Sequence, residues 1–222
     1  MNNRKIHIIH PKDETTDFLK EITSYVKENT DDVINELRLE TKEEHSSFFE
    51  TIHNYDENDL LLFLGHGTSN ALSGANTNEY ESKNFISENQ LKIFQSKNVL
   101  LLSCRSNQYL KSYFKDCGLK NAIGFPNLIT EFDELPHHDD PERYKDTTEE
   151  NIEQFKNSIN EIMKFSLEDY VKKDLSLFQL YNLIKLRINK RIINLYNLEP
   201  TKGKLPLGKM LNDMVNNLQF YQ

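Results

Sequence analysis

Apolar positions along the chain fall into short solid blocks separated by stripes of helical period. Leu60-Leu61-Leu62-Phe63-Leu64 follows the turn-forming Asp56-Glu57-Asn58-Asp59. A run this short and this uniformly apolar predicts a strand buried on both faces, as in a parallel sheet. Asn98-Val99-Leu100-Leu101-Leu102 repeats the pattern, and residues 119–125, ahead of Pro126, give another strand. Arg4-Lys5-Ile6-His7-Ile8-Ile9-His10, closed by Pro11, predicts the first strand. Residues 31–39 fit two periods: Val33, Asn35, Leu37 and Leu39 alternate, while Val33, Ile34 and Leu37 also share a helix face. A strand there suits the alternating order.

Between these blocks the period changes to 3.6. Phe18, Leu19, Ile22, Tyr25 and Val26 predict a helix over residues 13–29, and Phe48, Phe49 and Ile52 one over residues 41–55. Ser87 with Gln90 forms a capping box for a crossover helix carrying Leu91, Ile93 and Phe94. Ser106 caps a helix bearing Tyr109, Leu110, Tyr113 and Phe114, which stops at Gly118. Thr147 with Glu150 opens a helix carrying Ile152, Phe155, Ile159, Ile162 and Met163. Ser176 with Gln179 opens the last long helix, through Leu198, whose first half is apolar nearly all round and is expected to be deeply buried. Residues 68–82, rich in small polar side chains, predict a loop that shapes a pocket rather than filling a core. Residues 131–153 hold ten acidic residues against Arg143 and Lys145, and predict a charged, mobile loop. After Pro200 come a linker to Gly208 and a short helix over residues 209–220. The order implies an α/β fold with a mainly parallel central sheet, one domain over residues 1–200, and a C-terminal linker and helix (201–222) packing on it.

Bulk properties narrow the function. The 222 residues carry a formal charge of −8, with a sequence pI near 5.4 and mean hydropathy of −0.69. That balance argues against a nucleic-acid surface, which needs clustered cations. No apolar run approaches the roughly 20 residues that span a bilayer, and the amino terminus lacks a signal-peptide core, so no membrane contact and a cytoplasmic location are expected. The two cysteines, Cys104 and Cys117, are too few for a disulfide framework or a thiolate zinc site. His137-His138-Asp139-Asp140 reads as a surface loop, because adjacent histidines in an extended stretch point apart. No metal or other cofactor is expected.

The candidate chemistry sits where two buried strands end. The first runs into Gly65-His66-Gly67 and the second into Ser103-Cys104. In an open α/β sheet ligand sites form at the carboxyl edge, so neighbouring strands would place an imidazole beside a thiol. A cysteine closing an apolar strand is also a common small core residue; the matching histidine favours chemistry. His66 could lower the Cys104 pKa, as could the helix beginning at Ser106. With no Cβ at Gly67, its amide could join that of Cys104 as an oxyanion hole.

Gly65-His66-Gly67 after one strand and Leu101-Leu102-Ser103-Cys104-Arg105 after the next resemble the caspase-like cysteine peptidases of clan CD, and especially their bacterial CHAT-type branch. The caspase signature Gln-Ala-Cys-Arg-Gly is kept here only at Cys104 and Arg105; Leu102-Ser103 and Ser106 depart from it. The resemblance implies a caspase-like three-layer α/β/α sandwich, a dyad with no obligatory third member, and endopeptidase activity on a protein substrate. It implies gating by a regulatory protein partner or by processing, and roles in bacterial stress or antiviral defence. Carried over by motif, His66 is the acid/base, Cys104 the nucleophile, and the Gly67 and Cys104 amides the oxyanion donors. Among substrate-binding candidates, Glu131 and Asp133 favour a basic residue before the scissile bond, and Arg105 leaves the choice open. The alternative from another class is an inactive interaction module of the same fold.

Overall fold

The computed structural model describes residues 4–30, 33–81, 84–88, 90–198 and 204–222. In chain order its elements are β1 (Ile6–Pro11), a 3-10 turn (Glu14–Leu19), α1 (Lys20–Asn29), β2 (Ile34–Leu39), α2 (Lys42–Thr51), β3 (Leu60–Leu64), β4 (Ala71–Leu72), β5 (Ile86–Ser87), β6 (Asn98–Leu102), α3 (Ser106–Cys117), β7 (Asn121–Gly124), α4 (Glu149–Lys172), α5 (Leu177–Leu198), α6 (Lys204–Asn217) and β8 (Gln219–Tyr221). Six strands form one sheet in the order β2-β1-β3-β6-β7-β8. All neighbours are parallel except β8, which runs antiparallel to β7.

The solid apolar blocks have a direct structural cause. Side chains alternate across a sheet, and β3 divides its residues between two cores. Leu60, Leu62 and Leu64 join the layer of α1, α4, α5 and α6, while Leu61 and Phe63 face α2 and α3. Leu100 and Leu102 of β6 go with the first set, Val99 and Leu101 with the second. Both faces are therefore covered, and the molecule is a three-layer α/β/α sandwich. The chain begins at β1, steps outward to β2, then reverses through β3 to β6 and β7. The carboxyl edge between β1 and β3 is thus the topological switch point, the usual crevice for ligands in such sheets.

Several expectations need correction. The helix over residues 13–29 begins as the 3-10 turn Glu14–Leu19, capped by the Asp13 side chain on Thr15 N. The crossover after Ser87 is not an α-helix but the four-residue 3-10 turn Leu91–Phe94. Its two fully buried residues are three apart, the spacing that 3-10 geometry places on one face. Residues 68–82 do more than shape a pocket: Ala71, Leu72 and Ala75 are buried, and β4 pairs with β5. Asp31, Asp32 and Ser82 lie outside the described residues.

The acidic stretch is held rather than loose. It forms 3-10 turns at Phe132–His137 and Pro141–Tyr144, fixed by Glu131–Lys156, by Arg105–Asp139 and by a two-pronged Arg143–Asp213 pair. The next helix is capped by Thr148 with Asn151, one residue later than the Thr147 and Glu150 pair. Thr147 itself is buried.

The Ser176 and Gln179 box is present, but α5 buries only one stripe: Leu177, Leu180, Ile184, Ile188 and Leu195. Phe178 is 53% and Leu186 64% exposed. The C-terminal helix starts at Lys204, since Pro206 is tolerated in a first turn, and residues 219–221 form a sheet strand rather than a helix end. α6 and β8 belong to the same sandwich as the rest. The boundary placed at residues 200–201 lies outside the described residues, as does the first part of the linker.

Candidate active site

The register of β3 against β6 decides where His66 and Cys104 fall. Leu64 pairs with Leu102, and Gly65 N donates to Leu102 O at 3.3 Å. Each candidate therefore lies two residues past a matched pair, at the same level of the sheet edge. Both line one narrow cleft, together with Thr16, Leu102, Leu128 and Ile159. Gly67 keeps the two strand ends together. A Cβ built there would lie 2.7 Å from Ser103 Oγ and 3.1 Å from Cys104 O. Only a hydrogen fits between the histidine loop and the cysteine turn.

His66 is oriented by a third strand end. Its Nε2 lies 2.6 Å from Thr15 Oγ1, and Thr15 Oγ1 lies 2.6 Å from Asp13 Oδ1, which also accepts from Thr15 N at 2.9 Å. An ionised carboxylate can only accept, so the threonine hydroxyl gives it its one proton. The hydroxyl oxygen must then accept from the histidine. The network assigns the proton of neutral His66 to Nε2 and leaves the lone pair on Nδ1. Burial pushes the Asp13 carboxyl up, but the bonds from Thr15 and the nearby imidazole outweigh it and hold the group below its ordinary value. Asp13 and Thr15 follow β1 at the same edge as the other two groups. The strand-end logic that singles out His66 and Cys104 applies equally to Asp13, two residues past Pro11.

Cys104 carries a hydrogen-bonded thiol. Its Sγ donates to Leu128 O at 3.1 Å. Burial pushes the thiol up to about 12, with the Glu134 carboxylate adding to the effect. The cysteine is only partly exposed. Behind it, Arg105, rather than the expected Ser106, occupies the N-cap position of α3 in the left-handed conformation (φ 58°, ψ 15°), with no capping bond from its side chain. Two amides at that helix start are already occupied, Arg105 N by Pro126 O and Asn107 N by Phe125 O. Ser106 Oγ accepts from Phe125 N at 2.8 Å and reaches Leu101 O at 2.7 Å. The turn that presents the thiol is thereby tied to the chain leaving β7.

The other sequence candidates are placed differently. Arg105 pairs with Asp139 at 2.9 Å, Glu131 pairs with Lys156 at 2.9 Å, and Asp133 is exposed on the acidic segment. None of the three lines the cleft that holds Cys104. The wall comes instead from Leu128 and Thr130, just upstream. Glu134 reaches back to the amides of Thr130 and Glu131. No sequence pattern marks Leu128; its position depends on how the chain turns after β7. A second cleft of about 250 Å³ also borders His66, lined by Asp13, Ser73, Asn76 and Glu81 among others.

A wider depression, about 730 Å³, lies far from this chemistry at the amino edge of the sheet, around Arg4, His7, Tyr55 and Asp59. His7 there is fully engaged: Nε2 on Asp59, Nδ1 near Asn35, ring stacked on Tyr55. It is a structural histidine. Among the described residues no group of three or more His, Cys, Asp or Glu is arranged to hold a metal ion. Among them, too, no helix is long and apolar enough to cross a membrane.

No model of a known protein family matches the chain, and no curated protein sequence matches it. Among solved structures it is similar to Smu.1420 from Streptococcus mutans UA159, with 13% identity over 72% of this chain and 98% of that one, at a TM-score of 0.37. A similarity that slight has no bearing on the site.

Proposed function

We propose that the protein is a caspase-like cysteine endopeptidase, nearest the CHAT-type branch, that cleaves a protein substrate in the cytoplasm. The observation that carries this reading is the convergence of three strand ends: Cys104 and His66 share one cleft, and Thr15 with Asp13 fixes the histidine with its lone pair on Nδ1. In the reaction, His66 Nδ1 takes the Cys104 proton, and the thiolate forms a C–S bond to the scissile carbonyl. The Gly67 and Cys104 amides receive the oxyanion. Collapse breaks the C–N bond, and the departing amine takes the proton from His66. Water, deprotonated by the same imidazole, then hydrolyses the thioester and frees the thiol.

The hydrogen-bonded thiol supports a gated enzyme. With its thiol donating to Leu128 O and its pKa raised, Cys104 gains reactivity when the segment after β7 moves, which gives a regulatory partner or a processing event a defined task. Stress or antiviral defence is the setting the family resemblance suggests. The same two facts favour the second reading, a catalytically inactive interaction module. Labelling with a thiol-reactive peptide ketone, read by mass spectrometry, separates the two. A peptidase labels at Cys104, and His66→Ala slows the labelling by about 100-fold or more; a module leaves Cys104 unlabelled or indifferent to the histidine.

A further inference from the structure

The cleft beside Cys104 carries information about the substrate. Its walls are Phe18, Leu19, Leu102, Leu128 and Ile159, interrupted by the hydroxyls of Thr16, Ser103 and Thr130. Apart from His66 and Cys104 themselves, no titratable side chain lines it. Leu19, Leu102, Leu128 and Ile159 are each at most 4% exposed and belong to one core face. A charged side chain entering here would leave water for walls that carry no carboxylate or cation of their own, which is unfavourable. The groups that could offset it are committed. Glu131 holds Lys156, Glu134 caps the Thr130 and Glu131 amides, and Arg105 holds Asp139.

Size restricts the occupant further. The free space is about 20 Å³, enough for one methyl- or hydroxyl-sized group. Ser103, which lines the cleft, has its Oγ beside Gly67 with no hydrogen-bond partner, in a residue 2% exposed. A buried hydroxyl left unpaired is unfavourable, so a ligand that pairs with it is favoured.

We propose that this cleft selects a small uncharged residue, of alanine or serine size, on the acyl side of the scissile bond, with Ser103 Oγ hydrogen-bonded to the bound substrate. The inference rests on the peptidase reading and replaces the basic residue suggested by the acidic segment. One superfluous methylene in a tight apolar pocket costs roughly 10- to 200-fold in rate, so selection against leucine is steric and selection against lysine or aspartate electrostatic.

The test uses four acyloxymethyl ketone peptides of one sequence that differ only at the residue next to the reactive group: alanine, leucine, lysine or aspartate. Modification of Cys104 in the full chain is followed by intact mass. The alanine probe is expected to react at least about tenfold faster than each of the others. A faster leucine, lysine or aspartate probe, or no reaction with the alanine probe, overturns the inference. Iodoacetamide alkylation of wild type and His66→Ala runs in parallel. Alkylation that ignores His66 removes the peptidase reading itself, whereas His66-dependent alkylation with a preference for a charged probe removes only the specificity. Ile159→Ala, checked for folding by circular dichroism, should shift preference toward leucine by about tenfold; a folded variant with the original ranking also counts against the assignment.

Discussion

At the scale of single residues, the site depends on one hydroxyl. Thr15 stands between His66 and Asp13, and it alone converts a carboxylate at 3.5 Å from the ring into a directed hydrogen bond at 2.6 Å. Thr15→Val keeps the shape and removes the link. The imidazole is then free to rotate or to place its proton on Nδ1, where it cannot accept from a thiol. The expected result is a roughly tenfold slower reaction of Cys104 with a peptide ketone, a fraction of what general-base catalysis contributes. Its pH profile should change as well. Thr15→Ser, which keeps the hydroxyl, should restore both. Equal rates and profiles in all three proteins would show that the contact orients nothing.

At the scale of elements, the candidate site is set by how closely two turns approach. Gly67 is needed for space: an added Cβ meets both Ser103 and the Cys104 carbonyl. Gly67→Ala should destabilise the protein by about 1–3 kcal/mol, the usual cost of overpacking, and should slow Cys104 labelling by shifting the His66 loop. A lower urea midpoint with unchanged slope would register the first effect. A variant as stable and as reactive as wild type would mean that the two turns are not in contact.

These approaches explain what could and could not be read from sequence. The blocks ending at Leu64 and Leu102 revealed two neighbouring strand ends because burial on both faces leaves an unmistakable apolar run. The 3-10 turn at Leu91–Phe94 did not show itself, since two apolar residues three apart fit either helix type. The first half of α5 is buried on one stripe rather than all round for a related reason: composition reports how apolar a helix is, and only packing against α4 and α6 selects the stripe that is covered. Arg105, Glu131 and Asp133 have the right chemistry for substrate contacts, but ion-pair partners far along the chain or solvent hold the groups away from the cleft. Such pairings depend on loop paths that residue periodicity does not encode.

At the scale of the whole molecule, buried imidazoles contribute to the response to acid. His10 is completely buried, its ring nitrogens making no more than a weak contact with the Thr16 backbone, and burial, helped by Arg38, pushes it down to about 3. Burial also lowers His7 and His45, against hydrogen bonds to Asp59 and the Thr41 carbonyl that pull the other way. Each ring binds its proton more weakly folded than unfolded. Their contribution to stability is therefore complete above about pH 6.5 and is lost as pH falls from there toward 3, because the unfolded chain takes up protons first. The urea midpoint should drop over that range. His10→Leu, which trades a poorly paired buried polar ring for an apolar side chain, should be neutral to stabilising at pH 7 and should flatten the slope; a slope as steep as wild type would remove His10 from the account.

The strand that completes the sheet also has a consequence in time. β8 pairs with β7, yet α4, α5 and α6 are made between them. While a ribosome works through those helices, the outer rim of β7 has no partner and presents bare amides and carbonyls to any extended chain nearby. Closing so long a loop comes late and slowly. Tyr221 reaches Asn107 O at 2.5 Å, in the first turn of the helix that follows Cys104. β8 thus buttresses the cysteine turn, so a growing chain gains that support for its candidate site only after α4, α5 and α6 have been made.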